Sequence, residues 1–414
     1  MRVKARHNID CIMKIYHVVF STSGGAGKSA VRLCEQQQNA GIDAEIVSLT
    51  DGNIRSVIPR YPRMFLLALF DFFIVRSNKQ NPLFSLYRNR SIKKLTEKLI
   101  KETCIIHLHW HVGMIDTSKL IEQNSKIRQV VVTLHDMWFL TGGCHQSLKC
   151  QKFESNCSNC PQVRTAFQKS VTLQQSRKVE AARHLPNFVA IAPSQWIKSK
   201  AQQSAVLKYN SIFVIPNVLD ISIFKPGDRA APRKSLSLED KEFVIGVCAK
   251  DLSDPIKNCN EILEMCERFQ ISNPLIRVVI LAIGGRSEFL TSNILRIVKL
   301  GEIESEQSLV SSYQSMDVLI VASKIETAPT IINEASSCGI PVITVANGGS
   351  AEGVIHNSTG KIVSSIHDLP TALIELYSDR KHIDYSANSR TLAEKTFSHH
   401  ELMNKYRDVY KLPD

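Results

Sequence analysis

Short apolar segments of four to eight residues recur along this chain, each long enough for a buried strand and too short for a buried helix. The first spans residues 14–20 and is followed by a glycine-rich turn and a helix from about Lys28. Residues 44–49, 105–110, 130–134, 188–192 and 212–216 continue the series. Strands that alternate with helices predict a parallel sheet covered by those helices. A second series opens at residues 243–248 and runs through 277–284, 317–322 and 342–345. Residues 225–241, between the two series, are polar, charged and proline-containing, the composition of a linker. The expected class is α/β, with a Rossmann-like half over 13–217, a linker over 218–240 and a second Rossmann-like half over 241–384. A last helical stretch, 385–414, is expected to cross back onto the first half. A length of 414 residues suits two domains.

Charge is unevenly divided. The first 220 residues hold 30 Lys and Arg against 14 Asp and Glu, whereas the remainder holds 21 against 25. A basic first half suggests an anionic partner such as a membrane lipid or a phosphorylated acceptor. Nucleic acid is not expected, because no zinc-finger, homeodomain or RNA-recognition pattern accompanies the charge. No apolar run is long enough to span a bilayer, and the first twelve residues lack the apolar core of a signal peptide. Eleven Cys without such a signal point to a reducing compartment, hence to thiols or a metal site.

Two carboxylates concentrate the chemistry. Glu326 follows the strand at 317–322, and Glu334 lies eight positions on, within the helix expected after Pro329. Gly339 suits the left-handed exit of that helix. Ligands of open α/β sheets bind at such strand ends. Each carboxylate can accept two hydroxyl hydrogen bonds, as from a sugar or a ribose. The spacing resembles the Glu-x7-Glu signature of family 4 (group 1) retaining glycosyltransferases, which have the two-domain GT-B fold. The resemblance implies a first domain that binds the acceptor and a second that binds a nucleotide sugar. It places Glu326 on the donor sugar and Glu334 on the nucleotide ribose, with Thr330 at the helix start among the donor contacts. Thr327-Ala328-Pro329 stands where the family usually carries a Gly-Phe-Gly turn.

Further motifs follow in the family's order. Lys257 matches the lysine of its basic pair, and Lys250 roughly occupies the arginine place. Either ammonium suits the charge of a leaving diphosphate. Gly348 and Gly349 resemble the Gly-Gly-x-x-Glu loop near the nucleotide, with Glu352 completing it. His135, at the end of the strand 130–134, resembles the first-domain histidine that lies by the donor sugar. Gly24 and Gly25 would let the backbone approach the diphosphate or acceptor. The resemblance implies a UDP- or GDP-sugar donor, a saccharide or lipid-linked acceptor and no metal requirement for transfer. It also implies a front-face reaction in which the leaving phosphate helps take the acceptor proton. Surface polysaccharide synthesis on the inner face of the cytoplasmic membrane is the expected setting.

Alternatives remain at this stage. Gly27-Lys28-Ser29 matches the end of a P-loop, but Thr22 stands where its first glycine belongs, so a nucleotide hydrolase or kinase is one competing class. A noncatalytic nucleotide-sugar-binding module is another. His107, His109 and His111 alternate and read as a His-lined strand face rather than a metal site. Cys144, Cys150, Cys157 and Cys160 lie in an insertion, 142–162, similar to that of colanic-acid-type transferases, and could complete a structural zinc site. The apolar stretch 61–76, flanked by arginines and followed by Lys79, Arg88, Arg90, Lys93 and Lys94, suits either a buried helix, a dimer contact or an element lying in a membrane interface.

Overall fold

The computed structural model describes residues 13–48, 83–86, 103–112, 117, 120, 126–380 and 383–412. The apolar stretch 61–76 and the basic residues after it lie outside the described residues. Two six-stranded sheets dominate, and every paired strand within them is parallel.

The first sheet comprises β1 (Lys14–Val19), β2 (Ala44–Ser48), β3 (Cys104–Leu108), β4 (Ile127–Thr133), β5 (Val189–Ala192) and β6 (Ser211–Val214). Its order is β2-β1-β3-β4-β5-β6. The second comprises β7 (Phe243–Asp251), β8 (Val278–Gly285), β9 (Arg296–Gly301), β10 (Val318–Val321), β11 (Val342–Val345) and β12 (Gly360–Val363). Its order is β12-β11-β10-β7-β8-β9. The direction of progress reverses between β1 and β3 in one sheet and between β7 and β10 in the other. Crevices at such reversals, outside the carboxyl ends of the strands, are where open α/β sheets take ligands.

Apolar runs fill the centre of each sheet. Every residue of β3, β10 and β11 is buried, as strands covered on both faces require. The two strands that apolarity did not reveal, β9 and β12, form opposite edges of the second sheet. β9 has no fully buried residue and carries Arg296 and Lys299, so its pairing leaves no apolar signature.

The segment 225–241 is mostly exposed, as its composition suggests, but it is pinned at one buried arginine. It contains a short helix, Ala230–Ser235, whose Arg233 is 1% exposed. Its guanidinium donates to the carbonyls of Ser315 and Glu239 and to Asp317 Oδ2 at 2.6 Å. Asp317 also accepts from the Val244 backbone at 2.7 Å, so the arginine pins this segment to the start of β7 and β10.

The final stretch is two helices, Tyr385–Thr396 and His399–Tyr410, broken where buried Phe397 anchors the chain. The second reaches the first sheet. Gln129 donates to the Val409 carbonyl at 2.8 Å, Arg407 donates to the Ala40 carbonyl, and Gln37 donates to the Tyr410 hydroxyl at 3.1 Å.

Removing Arg233 takes the guanidinium away from the carbonyls of Ser315 and Glu242, while Asp317 keeps Arg229 and the Val244 amide. Arg233→Ala is expected to lower stability by about 1–3 kcal/mol, the cost of buried polar groups left unpaired, read from the midpoint and slope of urea unfolding.

Candidate active site

Both sheet reversals contribute to one crevice. In the second sheet, Lys250 stands at the end of β7, and Lys257 follows in the turn before the helix Cys259–Ser272. Glu326 lies on the loop leaving β10, where its Oε1 accepts from Lys257 Nζ at 2.5 Å. Burial disfavours the Lys257 charge, but the Glu326 carboxylate outweighs it and raises the ammonium above its ordinary range. The pair is therefore a fixed charge couple at the strand ends. The exposed Lys250 side chain crosses toward the first half, its ammonium beside Gly24. Half-buried Thr330 opens the helix Thr330–Ser337, and Gly339 follows its end at φ +76 as its sequence suggested.

Gly348 and Gly349 act on Glu326 through the backbone. Gly348 pairs in a parallel bridge with Glu326, and the Gly349 amide donates to the Glu326 carbonyl at 2.8 Å. A Cβ on Gly348 would collide with the Glu326 carbonyl, and one on Gly349 with that of Thr327. At φ +71, Gly348 also adopts a conformation that other residues rarely tolerate. The glycine pair thus clamps the loop that carries Glu326.

Glu334 differs most from its sequence-based reading. It is 4% exposed, and both carboxylate oxygens are taken by the protein itself. Oε1 accepts from Arg32 at 2.8 Å, and Oε2 accepts from the Tyr313 hydroxyl at 2.9 Å. Arg32 comes from the helix Gly24–Asn39 of the first half and also donates to Glu306 at 2.8 Å. Burial opposes the guanidinium charge, and the two carboxylates more than restore it. No local motif marks Arg32 or Tyr313; their partnership with Glu334 exists only once the chain has folded.

Other contacts span the crevice. The Ser194 hydroxyl donates to the Thr327 carbonyl at 2.7 Å. The Glu352 carboxylate accepts from the Gln195 and Trp196 amides, both at 2.7 Å, at the start of the helix Gln195–Gln203. An acidic group is favoured at a helix N-terminus, where the amides lack helical partners.

His135 follows β4, half-buried, with its Nε2 3.0 Å from His109 Nδ1. Next to it, Asp136 meets His145 Nδ1 at 2.6 Å. Burial works against the Asp136 charge, and His145 pulls the carboxyl below its usual value. Gln146 then donates to Thr327 Oγ1 at 3.5 Å, linking this turn to the neighbour of Glu326.

The helix after β1 starts at Gly24, earlier than the sequence suggests, so Gly24 and Gly25 form its first turn. A Cβ on Gly27 would strike the Ser21 and Thr22 backbone. This turn folds tightly on itself, and only a glycine fits at position 27.

The three histidines of the 107–111 stretch part company. His107 and His109 join His17 in a buried group whose nitrogens lie within 4.8 Å of one another. His111 instead packs against Trp138, with Nδ1 on the His109 carbonyl at 2.8 Å. Cys144, Cys150, Cys157 and Cys160 line a single cavity with Phe84 and Val171. Zinc is not supported there. Tetrahedral zinc needs sulfurs about 3.8 Å apart, given Zn–S bonds near 2.3 Å. The trio of histidines, and not the thiols, is what closes to within 4.8 Å among the described residues. Burial pushes the Cys144 and Cys157 thiols up to about 12 and about 11.

Two parallel Rossmann-like sheets in one chain are the GT-B arrangement. Residues 242–379 match the family described as Glycosyl transferases group 1. Over 417 aligned positions the chain is 23% identical to a colanic acid biosynthesis glycosyl transferase, WcaC, of Escherichia coli (strain K12), covering 94% of this chain and 96% of the relative. Among solved structures, sucrose-phosphate synthase from Thermosynechococcus elongatus superposes with a TM-score of 0.66 at 18% identity, covering 96% of this chain and 98% of that one. Anabaena HepE, solved in complex with UDP-glucose, gives 0.63 at 16% identity, covering 96% and 99%. Among the described residues, no helix is long and apolar enough to cross a membrane.

Burial holds His17, His111 and His135 down to about 4. The unfolded chain, with histidines near about 6.5, takes up protons first as pH falls. These rings therefore contribute stability above about 6.5 that is lost progressively toward about 4. The melting temperature is expected to fall across that window, and His111→Phe to flatten the slope, both read by scanning calorimetry.

Proposed function

We propose that this chain moves a sugar from a nucleotide-sugar donor to a saccharide or lipid-linked acceptor, retaining the anomeric configuration. The observation that carries this reading is the Lys257–Glu326 couple at the reversal of the second sheet, next to Thr327, whose carbonyl accepts from Ser194 of the first half. Glu326 accepts hydroxyl hydrogens of the donor sugar, and Lys257 then neutralises the departing diphosphate. Lys250 and the amides at Thr330 add positive potential on the same side. His135 meets the sugar from the first half. In the transfer, the anomeric carbon–phosphate oxygen bond breaks as the acceptor oxygen bonds to the same face. The acceptor proton passes to the leaving phosphate.

Glu334 binds the ribose only after Arg32 withdraws, so donor entry requires the two halves to shift. Gly348 and Gly349 serve the donor by fixing Glu326, and Gly24 and Gly25 border the acceptor side. The likeness to a protein solved with UDP-glucose supports a UDP-sugar, with a GDP-sugar as the other candidate. The relative named for colanic acid biosynthesis supports a role in surface polysaccharide synthesis. The setting that follows is the cytoplasmic face of the membrane, where the basic first half meets anionic lipid or a lipid-linked acceptor.

A panel of UDP-, GDP- and ADP-sugars with and without oligosaccharide and lipid-linked acceptors tests the assignment. Acceptor-dependent nucleotide release is expected, whereas tight donor binding without turnover with every acceptor would mark a binding module. Glu326→Ala and Lys257→Ala are each expected to cost on the order of 100-fold or more in kcat/KM, as groups that meet developing charge do. Lys28→Ala should leave transfer nearly intact; loss of activity there instead would favour a P-loop enzyme.

A further inference from the structure

The hydrogen bonds of His135 do not stop at His109. His109 Nε2 lies 3.0 Å from His17 Nδ1, and His17 Nε2 lies 2.7 Å from Gln37 Oε1. The other end of the Gln37 amide donates to the Tyr410 hydroxyl. That hydroxyl lies 2.7 Å from His107 Nδ1, and His107 Nε2 lies 2.7 Å from Thr133 Oγ1. Six ring nitrogens of His17, His107 and His109 are thereby all engaged. The trio is a saturated hydrogen-bond network, and a metal would have to break it.

The polarity of the network follows from one amide. An amide oxygen only accepts, so His17 Nε2 carries the hydrogen. A neutral imidazole has a single N–H, so His17 Nδ1 is bare and accepts from His109 Nε2–H. By the same step His109 Nδ1 is bare and accepts from His135 Nε2–H. The lone pair of the chain emerges at His135 Nδ1, which has no hydrogen-bond partner among the described residues. The second branch agrees: Gln37 donates to Tyr410, Tyr410 donates to His107 Nδ1, and His107 Nε2–H donates to Thr133. The rings are neutral because they are buried, His17 and His107 at 0% and His109 at 4% exposure. Desolvation lowers all three, and neighbouring rings lower His107 and His109 further.

We propose that Gln37 is a positioning residue for sugar transfer: through His17 and His109 its amide holds His135 in the Nε2–H form, leaving Nδ1 to accept a hydroxyl hydrogen of the donor sugar. The role at the sugar rests on the placement of His135 given under the proposed function; the tautomer itself does not. Selectivity follows, because a lone pair recognises a hydroxyl and gains nothing from a deoxy or fluorinated carbon at that place.

The test is long-range proton–nitrogen NMR of the full chain labelled with 15N-histidine, which separates bare from protonated ring nitrogens. His135→Ala identifies the His135 signals by their loss. In the unmutated protein, His135 should show a bare Nδ1 and a protonated Nε2. Gln37→Leu should convert that pattern to a mixture and lower kcat/KM roughly tenfold or more, as a wrong tautomer does. Gln37→Glu, whose carboxylate also accepts from His17, should restore the pattern. A protonated Nδ1 in the unmutated protein overturns the relay without need of any variant, as does an unchanged pattern in Gln37→Leu. If the pattern is as expected yet His135→Ala transfers sugar at full rate, the placement of His135 at the sugar falls and the proposed link from Gln37 to transfer falls with it, while glycosyl transfer itself stands on Glu326 and Lys257.

Discussion

The two halves are held together by a charge that water scarcely reaches. Arg32 projects from the first helix, meets Glu306 and Glu334 of the second half, and lies 5.0 Å from the Phe224 ring. Taking a guanidinium out of water costs several kcal/mol, roughly offset only when its partners are well placed. Two carboxylates and an aromatic face meet that condition. The geometry of the crevice depends on this contact, because the same helix begins at Gly24, beside Lys250. Glu334 is consequently occupied by the first half, which couples the relative position of the sheets to this buried acid.

Around this contact, the loop carrying Glu326 is fixed from several sides at once. Lys257 holds its carboxylate, Gly348 and Gly349 hold its backbone, and Ser194 and Gln146 hold Thr327 from the first half. Three of these five residues, Lys257, Ser194 and Gln146, reach Glu326 or Thr327 from 69 or more positions away. A group held this way needs little reorganisation when charge develops near it, which is the physical basis of electrostatic catalysis.

Much of the architecture was legible before folding was considered. Ten of the twelve strands announce themselves as apolar runs, because strands with both faces covered leave a continuous apolar signature. β9 does not, because it is half solvated, and β12 does not, because Gly360 and Lys361 fill half of its four positions. The position of Glu326 at a strand end was readable from Pro329, Gly339 and the flanking runs. The fate of Glu334 was not, because its partners lie 302 and 21 residues away and carry no motif. Arg233 deceived for a related reason: in sequence it looks like one more charge in a polar stretch, while in space it is buried among five acceptors. The thiols show the converse. Their spacing implied convergence, and they do line one cavity, but spacing along a chain says nothing about whether sulfurs close to bonding range.

The stitch between Gln37 and Tyr410 has a consequence for how the protein is made. Their 373-residue separation means that a ribosome working at 5–20 residues per second exposes the amide roughly 20 to 75 s before the phenol exists. Throughout that interval the nascent first lobe lacks the hydroxyl that its interior imidazoles and amide await. Maturation of the first lobe is therefore tied to the synthesis of Tyr410 rather than to its own emergence.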